Sequence, residues 1–150
     1  MTNARRILLT VLMAGTMGAC SGDNNGPSEA SLTATWHATN AEFVSVTNPA
    51  QKVELVGIGG SVVLALNANN TFTMTTTTPC KPAAQLSGTW SASADVLTLS
   101  YQFAGTQGQA QYEMTLNGDT LLLMGADGSF DVNGDNALED VKINLTLTRG

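Results

Sequence analysis

Apolar and polar side chains alternate without a break along Val141-Lys142-Ile143-Asn144-Leu145-Thr146-Leu147-Thr148. Successive side chains of a β-strand point to opposite faces of the sheet, so this segment would place four apolar residues on one face and four polar residues on the other. A strand of this kind covers a hydrophobic core with one face and exposes the other face to water. The segment therefore predicts a half-buried β-strand near the end of the chain.

The same period of two recurs upstream, and an amphipathic helical pattern never persists for more than one turn. Gly, Asn, Asp and Pro interrupt the alternating segments at short intervals, as turns require. At Asn117-Gly118, a two-residue turn would place Met114 opposite Leu121, with their apolar neighbours on the same face. The alternation predicts strands at 32–38, 41–47, 61–67, 71–78, 86–92, 96–103, 109–117, 119–125 and 138–148, with a weaker pattern at 52–57.

These patterns predict an all-β protein. About eight to ten one-sided strands joined by short connections can close into an up-and-down antiparallel β-barrel, which leaves no free edge, or fold into a two-sheet sandwich. We expect the single barrel. About 120 residues are available to it, which is enough for one domain with one core and too few for two.

The start of the chain has the features of a bacterial secretion signal. Arg5 and Arg6 precede an apolar run at 7–14 that is too short to span about 30 Å of hydrocarbon as a helix. The residues that follow, Met17-Gly18-Ala19-Cys20, resemble the lipobox of bacterial lipoproteins. The alternative is a plain secretory peptide with an incidental cysteine. The lipobox resemblance implies a lipoprotein signal peptide at 1–19 and a lipidated Cys20. The residues after Cys20 are rich in Gly, Asn, Ser and Pro and predict a flexible tether, so that 20–31 form the lipidated cysteine and tether and 32–149 the β-barrel domain.

Lipidation at Cys20 would place the protein in the bacterial cell envelope, with the membrane as a partner through the lipid anchor. Acyl chains such as palmitate hold a protein by burying CH₂ groups, each worth about 0.8 kcal/mol. Ser21 follows the cysteine where some bacteria place Asp to keep lipoproteins at the inner membrane, which favours the outer membrane and the periplasm. Cys80 would then lack a disulfide partner in the chain; we interpret it as a tolerated loop thiol rather than an intermolecular disulfide or a reactive thiol.

The charge balance argues against a nucleic-acid partner. Beyond residue 19 the chain has four Lys and Arg residues against twelve Asp and Glu residues, a net charge of −8. The sequence contains no basic stripe or patch that would neutralise phosphates.

Several short motifs, taken in their order along the chain, resemble the bacterial lipocalin-like domain, a family of small calycin-type barrels often found on lipoproteins. They are Leu32-Thr33-Ala34-Thr35-Trp36, Leu66-Asn67-Ala68-Asn69-Asn70-Thr71-Phe72, Ser87-Gly88-Thr89-Trp90 with Asp95-Val96-Leu97-Thr98-Leu99, Leu116-Asn117-Gly118-Asp119-Thr120-Leu121, and the terminal strand ending at Arg149. The resemblance covers nearly all of residues 31–149. It implies that Trp36 plugs one end of the barrel and that Arg149 lies across its ring, as a structural pair.

Candidate catalytic residues are scarce. His37 is the single histidine, and no Ser or Cys has an identifiable base beside it, so the motifs assemble neither a nucleophilic triad nor a zinc site. We expect no catalytic residues, no enzymatic activity and no cofactor other than, in one interpretation, calcium.

That interpretation concerns Asp131-Val132-Asn133-Gly134-Asp135. The oxygen-bearing side chains of Asp131, Asn133 and Asp135 recur at every second residue, the spacing with which a tight loop wraps calcium. Lys142 stands where an EF-hand loop needs its bidentate acid, and no helix is predicted beside the loop. The competing interpretation is a solvated turn, in which Asp, Asn and Gly are the expected residues.

The leading functional hypothesis is a lipid-anchored periplasmic binding module that holds a small apolar or amphipathic ligand in the barrel. An eight-stranded barrel is just wide enough either to hold one small ligand or to be filled by side chains. The alternative is a ligand-free structural or protein-interaction lipoprotein of the envelope. The side chains expected to line the ligand are Leu64, Leu66, Phe72, Met74, Trp90, Leu99, Tyr101, Tyr112, Met114 and Leu123.

Overall fold

A computed structural model describes residues 26–150 of the chain. The predicted signal peptide at 1–19, Cys20 and the first part of the predicted tether lie outside the described residues. From residue 26 onward, no helix has both the length and the apolar character needed to cross a membrane.

Residues 26–150 form one helical turn followed by nine β-strands. They are α1 (Glu29–Leu32), β1 (Ala34–Ser45), β2 (Lys52–Glu54), β3 (Ser61–Leu66), β4 (Thr71–Thr77), β5 (Ala84–Ser93), β6 (Val96–Phe103), β7 (Thr106–Asn117), β8 (Thr120–Phe130) and β9 (Glu139–Arg149).

Eight of these strands form a closed antiparallel barrel. From β3 to β9 each strand pairs with the next, β3 pairs with the first half of β1, and β9 returns to pair with β1 along its length. The short strand β2 lies outside this ring and pairs with the second half of β1. The prediction of an all-β, up-and-down barrel is confirmed, because closure through β1 and β9 excludes the two-sheet sandwich.

The opening of the barrel differs from the prediction. The two strands expected at 32–38 and 41–47 are one strand, β1, with a register shift between Ala38 and Asn40 where it pairs with β9. This β-bulge interrupts the alternation without ending the strand. Leu32 belongs to the helical turn α1 instead, which Ser28 caps by accepting a hydrogen bond from the Ser31 N–H.

The hairpin between β7 and β8 has the predicted faces but another register. Met114 pairs with Leu123 and not with Leu121, because Asn117 pairs with Thr120 and the turn residues are Gly118 and Asp119. Gly118 has a φ of 58°, which glycine adopts without steric cost. The shift equals two residues, so every side chain stays on its predicted face.

Strand β8 continues beyond its predicted end at residue 125. A second register shift lies between Leu123 and Ala126, at a position where Gly125 has a φ of 80°. The Asn144 side chain accepts a hydrogen bond from the Gly125 N–H at 3.0 Å and so occupies the gap that the shift leaves in the ladder. Beyond this bulge, the β8–β9 pairing continues as far as Phe130 and Glu139.

The antiparallel order gives the barrel two different ends. The closed end carries α1, the short turns after β3, β5 and β7, and the last residue of β9. The other end, which we call the loop end, carries the longer connections 46–60, 78–83 and 131–138 and the short turn after β6.

A clasp of side chains covers the closed end. The Trp36 indole is fully buried and its Nε1–H donates to the Leu32 carbonyl at 2.8 Å. The Arg149 guanidinium lies over the Trp36 ring, 4.7 Å from its centroid, and donates to the Ser31 carbonyl at 2.7 Å. Its Nε is also 3.3 Å from an oxygen of Asp119. The structure thus brings together the two residues that the resemblance placed in contact.

We expect Arg149→Ala to lower the thermal midpoint of unfolding by several degrees, since cation–π contacts of this kind are worth about 0.5 to 2 kcal/mol. Thermal denaturation followed by circular dichroism measures the change. Lys142→Ala is the control, because it removes a cation from the same strand at an exposed ion pair with Asp127, where little loss is expected. Equal midpoints for Arg149→Ala and the unsubstituted protein would contradict a stabilising role for the clasp.

Candidate functional site

A cleft of about 450 Å³ opens at the loop end, between three connections of the barrel. Its size lies within the range of small-molecule sites in proteins. The side chains that line it are largely apolar, with a few polar groups among them. The lining residues are Val53, Ile58, Thr78, Lys81, Phe130, Asp131, Val132, Asn133, Gly134 and Leu138. We call this feature the mouth cleft.

The connection 46–60 forms one wall and is held to the barrel by Glu54. The Glu54 carboxylate accepts hydrogen bonds from the N–H groups of Ala41 at 2.9 Å, Val56 at 3.1 Å and Gly57. The Ala41 N–H has the largest effect in holding the pKa of Glu54 below its ordinary value, against an upward effect of burial. Leu55 beside it is fully buried in the core. These contacts fix the loop that presents Val53 and Ile58 to the cleft.

The connection 78–83 supplies the second wall and the cleft's ammonium group. The Lys81 Nζ lies 3.2 Å from an oxygen of Asp131, and so ties this connection to the one after β8. Cys80 precedes it as an exposed free thiol in the left-handed region of backbone conformation, with a φ of 60°.

The connection 131–138 forms the third wall. Phe130 at its start stacks on Phe43, with ring centroids 4.3 Å apart. The two oxygens of Asp131 accept the N–H groups of Gly134 at 2.7 Å and Asn136 at 3.1 Å. Burial alone would raise the pKa of Asp131, but the Lys81 ammonium and these two N–H groups outweigh burial and hold that pKa below its ordinary value.

The sequence pattern missed one carboxylate that lies beside the connection 131–138, which we call the acidic loop. The carboxylates of Asp131, Asp135 and Glu139 lie within 4.8 Å of one another. Asn133 donates to Asp135 at 3.2 Å and to Glu139 at 2.9 Å, and the Val132 N–H donates to Glu139 at 2.8 Å. Counted from Asp131, Glu139 is the ninth residue, a position that in an EF-hand loop often reaches calcium through water. Here Glu139 opens β9 and not a helix.

The ten predicted ligand-lining residues lie in the barrel interior. Met74 and Tyr101 are half-buried, and the other eight are at most 3 % exposed within one hydrophobic cluster. Burial, with a contribution from Tyr101, raises the pKa of the Tyr112 hydroxyl, which therefore stays neutral. None of the ten is among the residues that line the mouth cleft. The structure thus places these residues together, below the cleft.

The barrel interior contains few polar groups. Across residues 26–150, Ser45 is the only polar or charged residue that is buried. His37, the one histidine of the sequence, is exposed on the outside of β1. Among residues 26–150, the titratable group buried inside the barrel is the Tyr112 hydroxyl.

A known family accounts for this fold. The family model for the lipocalin-like domain matches residues 32–123, more than half of the chain. The chain belongs to the lipocalin-like domain family. No curated protein and no solved structure matches it. Membership of this lipocalin-like family suggests a small-ligand binding module, since proteins of the family generally bind molecules and do not act as enzymes.

The Glu54 contacts predict a dependence of stability on pH. The pKa of Glu54 in the folded protein is below its ordinary 4.5, so its contribution is complete above that value and is lost as the pH falls through the folded-state pKa. We expect Glu54→Gln to have a lower free energy of unfolding than the unsubstituted protein at about pH 7. The difference between the two free energies, here called the gap, should become smaller below about pH 4. Urea unfolding at both pH values measures it. A gap that does not change with pH would contradict this role.

Calcium binding and a solvated turn remain the two interpretations of the acidic loop. The ammonium of Lys81 and the loop's own N–H groups already bond to Asp131, so we expect millimolar calcium to leave the thermal midpoint unchanged relative to EDTA. A calcium-dependent rise in the midpoint that Asp135→Asn removes would instead establish the calcium interpretation.

Proposed function

We propose that this protein is a lipid-anchored binding module of the bacterial cell envelope that holds a small apolar or amphipathic molecule at the loop end of its barrel. The observation that carries the proposal is the mouth cleft. Ile58 and Leu138 at its edge are 57 % and 73 % exposed, and apolar side chains gathered around a concave site commonly mark a ligand.

The cleft is the better binding position within the barrel. The interior below it is filled by the buried side chains of the core, and a ligand placed there would have to displace them at a cost of about 1 to 3 kcal/mol or more. A molecule at the cleft would instead contact Val53, Ile58 and Leu138, which line open space. We infer that the ligand sits at the mouth and reaches inward only as far as Phe130 and Val132.

The lipid anchor is compatible with this site. Gly26 lies so close to Ala94, in the turn after β5, that an added Cβ would fall 1.7 Å from the Ala94 carbonyl oxygen. The chain therefore enters the barrel at the closed end. An acylated Cys20, six residues earlier, would attach the closed end to the membrane and leave the mouth cleft facing the periplasm.

A ligand-free structural or protein-interaction role remains the alternative function, and the filled interior favours it. With eight of the ten predicted lining residues almost completely buried, the barrel needs no ligand to complete its core. In that role the exposed side chains at the loop end would contact another protein.

Binding of decan-1-ol to the Cys20→Ser protein tests the ligand-binding proposal. We expect backbone amide NMR shifts confined to the three connections around the mouth cleft. Ile58→Ser with Leu138→Ser should weaken binding about tenfold, since each buried CH₂ is worth about 0.8 kcal/mol. Met124→Ser is the matched control, because Met124 is an exposed apolar residue of β8 outside the cleft.

Three results would oppose the proposal. Shifts scattered over the whole surface, or equal binding by the double variant and the Met124→Ser protein, would show that the cleft is not the site. The absence of any binding, together with retention of an envelope protein by the barrel, would support the interaction role instead.

The anchor itself is tested by fractionation of bacterial cells. We expect the full-length chain to sediment with membranes and Cys20→Ser to move to the soluble fraction, because the acyl chains are lost. Cys80→Ser, which changes the other cysteine of the sequence, should remain with the membranes. A Cys20→Ser protein that stays membrane-bound would contradict lipidation at this residue.

A further inference from the structure

The mouth cleft has an apolar surface, and an excess of negative charge lies beside it. Its third wall contains Asp131, whose carboxylate lies within 4.8 Å of those of Asp135 and Glu139. Against these three carboxylates stands one ammonium, that of Lys81. Charges this close to an apolar surface act on a ligand through a medium less polar than bulk water, so their sign matters for which molecules bind there.

The one ammonium is already paired. Lys81 donates to Asp131, whose side chain is only 7 % exposed. Asp135 and Glu139 accept hydrogen bonds from Asn133, and also from the N–H groups of Ala137 and Val132, and all of these donors are neutral. From residue 26 onward, no Lys or Arg other than Lys81 is within 4 Å of the three carboxylates. The negative charges of Asp135 and Glu139, beside this wall, are therefore not balanced by a neighbouring cation.

The charged groups of the other walls do not reverse this balance. On β1 and β2, Lys52 pairs with Glu42 at 2.7 Å, so these two charges cancel each other. Glu54 adds a further carboxylate, held by the N–H groups of the connection that also carries Ile58. Asp135 and Glu139 do not line the mouth cleft, but they follow its lining residues Gly134 and Leu138 directly and lie beside Asp131. We call these two carboxylates the acidic rim.

We propose that the molecule held in the mouth cleft is a cationic amphiphile, with an alkyl or ring body and an amine head group. This inference rests on the proposed ligand-binding function and specifies the ligand class. The body would pack against Ile58, Phe130 and Leu138, and the amine would lie beside Asp135 and Glu139. The opposite charge would be disfavoured, because an anionic head group at Lys81 would lie close to the carboxylates of Asp131, Asp135 and Glu139.

Three ligands of equal chain length separate charge from apolar contact: decylamine, decan-1-ol and decanoate. At about pH 7 in the presence of EDTA, they are a cation, a neutral molecule and an anion. We expect decylamine to bind the Cys20→Ser protein about tenfold more tightly than decan-1-ol, and decanoate to bind most weakly. Raising NaCl from about 20 mM to about 300 mM should reduce the differences, since salt screens exposed charges.

The acidic rim is tested by Asp135→Asn combined with Glu139→Gln. Both substitutions keep oxygen acceptors for the loop's hydrogen bonds and remove the two charges. We expect the double variant to lose the preference for decylamine while its affinity for decan-1-ol stays unchanged, which also shows that it is folded. Glu113→Gln is the control, because it removes an exposed carboxylate of β7 outside the cleft and should keep the preference.

The outcomes separate the two proposals. Decan-1-ol binding at the cleft would support the binding function. If decanoate then binds as tightly as decylamine, or if the double variant keeps the preference for decylamine, the cationic-ligand inference is overturned while the binding function stands. If none of the three ligands shifts the residues of the cleft, the binding function itself is overturned, and the inference falls with it.

Discussion

The pairing of β1 with β9 is the constraint on which the rest of the structure depends. Its register runs from Trp36 with Arg149 to Ser45 with Val141, and it joins the first long strand of the barrel to the last. Without it, the remaining pairings would leave an open sheet with two exposed edges and no enclosed core. The same register places Arg149 over Trp36 at one end. At the other end it brings the start of β9 beside β1 and so brings the acidic loop next to the barrel opening.

The fold could be predicted from the sequence because side-chain alternation decides which face of a strand is buried. The alternation was sufficient even where details were wrong: the hairpin around Gly118 is displaced by two residues, which preserves its faces. Bulges were the features that alternation could not locate. The shift between Ala38 and Asn40 made one strand look like two, and the one at Gly125 made β8 look shorter than it is. A bulge breaks the period of two, just as a turn does.

The site was less predictable, since it depends on contacts between loops that are distant in sequence. Asp131, Asn133 and Asp135 were visible as a local pattern, whereas Glu139 joins them through the path of the chain into β9. The bond from Lys81 to Asp131 spans fifty residues of sequence, and no short motif marks either partner. Hydrogen bonds within the connections and to the barrel, together with this ion pair, fix the walls of the site. A site formed in advance loses less conformational entropy when a molecule binds.

Residues 26 and 150, the first and last of the described chain, both lie at the closed end of the barrel. The Gly150 N–H donates to the Thr35 carbonyl at 2.9 Å, beside the point where β1 begins, while the mouth cleft occupies the opposite end of the barrel. A short peptide could therefore join the two termini, and new termini could be opened in the tight turns after β3, β5 or β7. Such circular permutants would keep all three connections of the mouth intact. The barrel can thus be cut and rejoined at one end without altering the surface presented at the other.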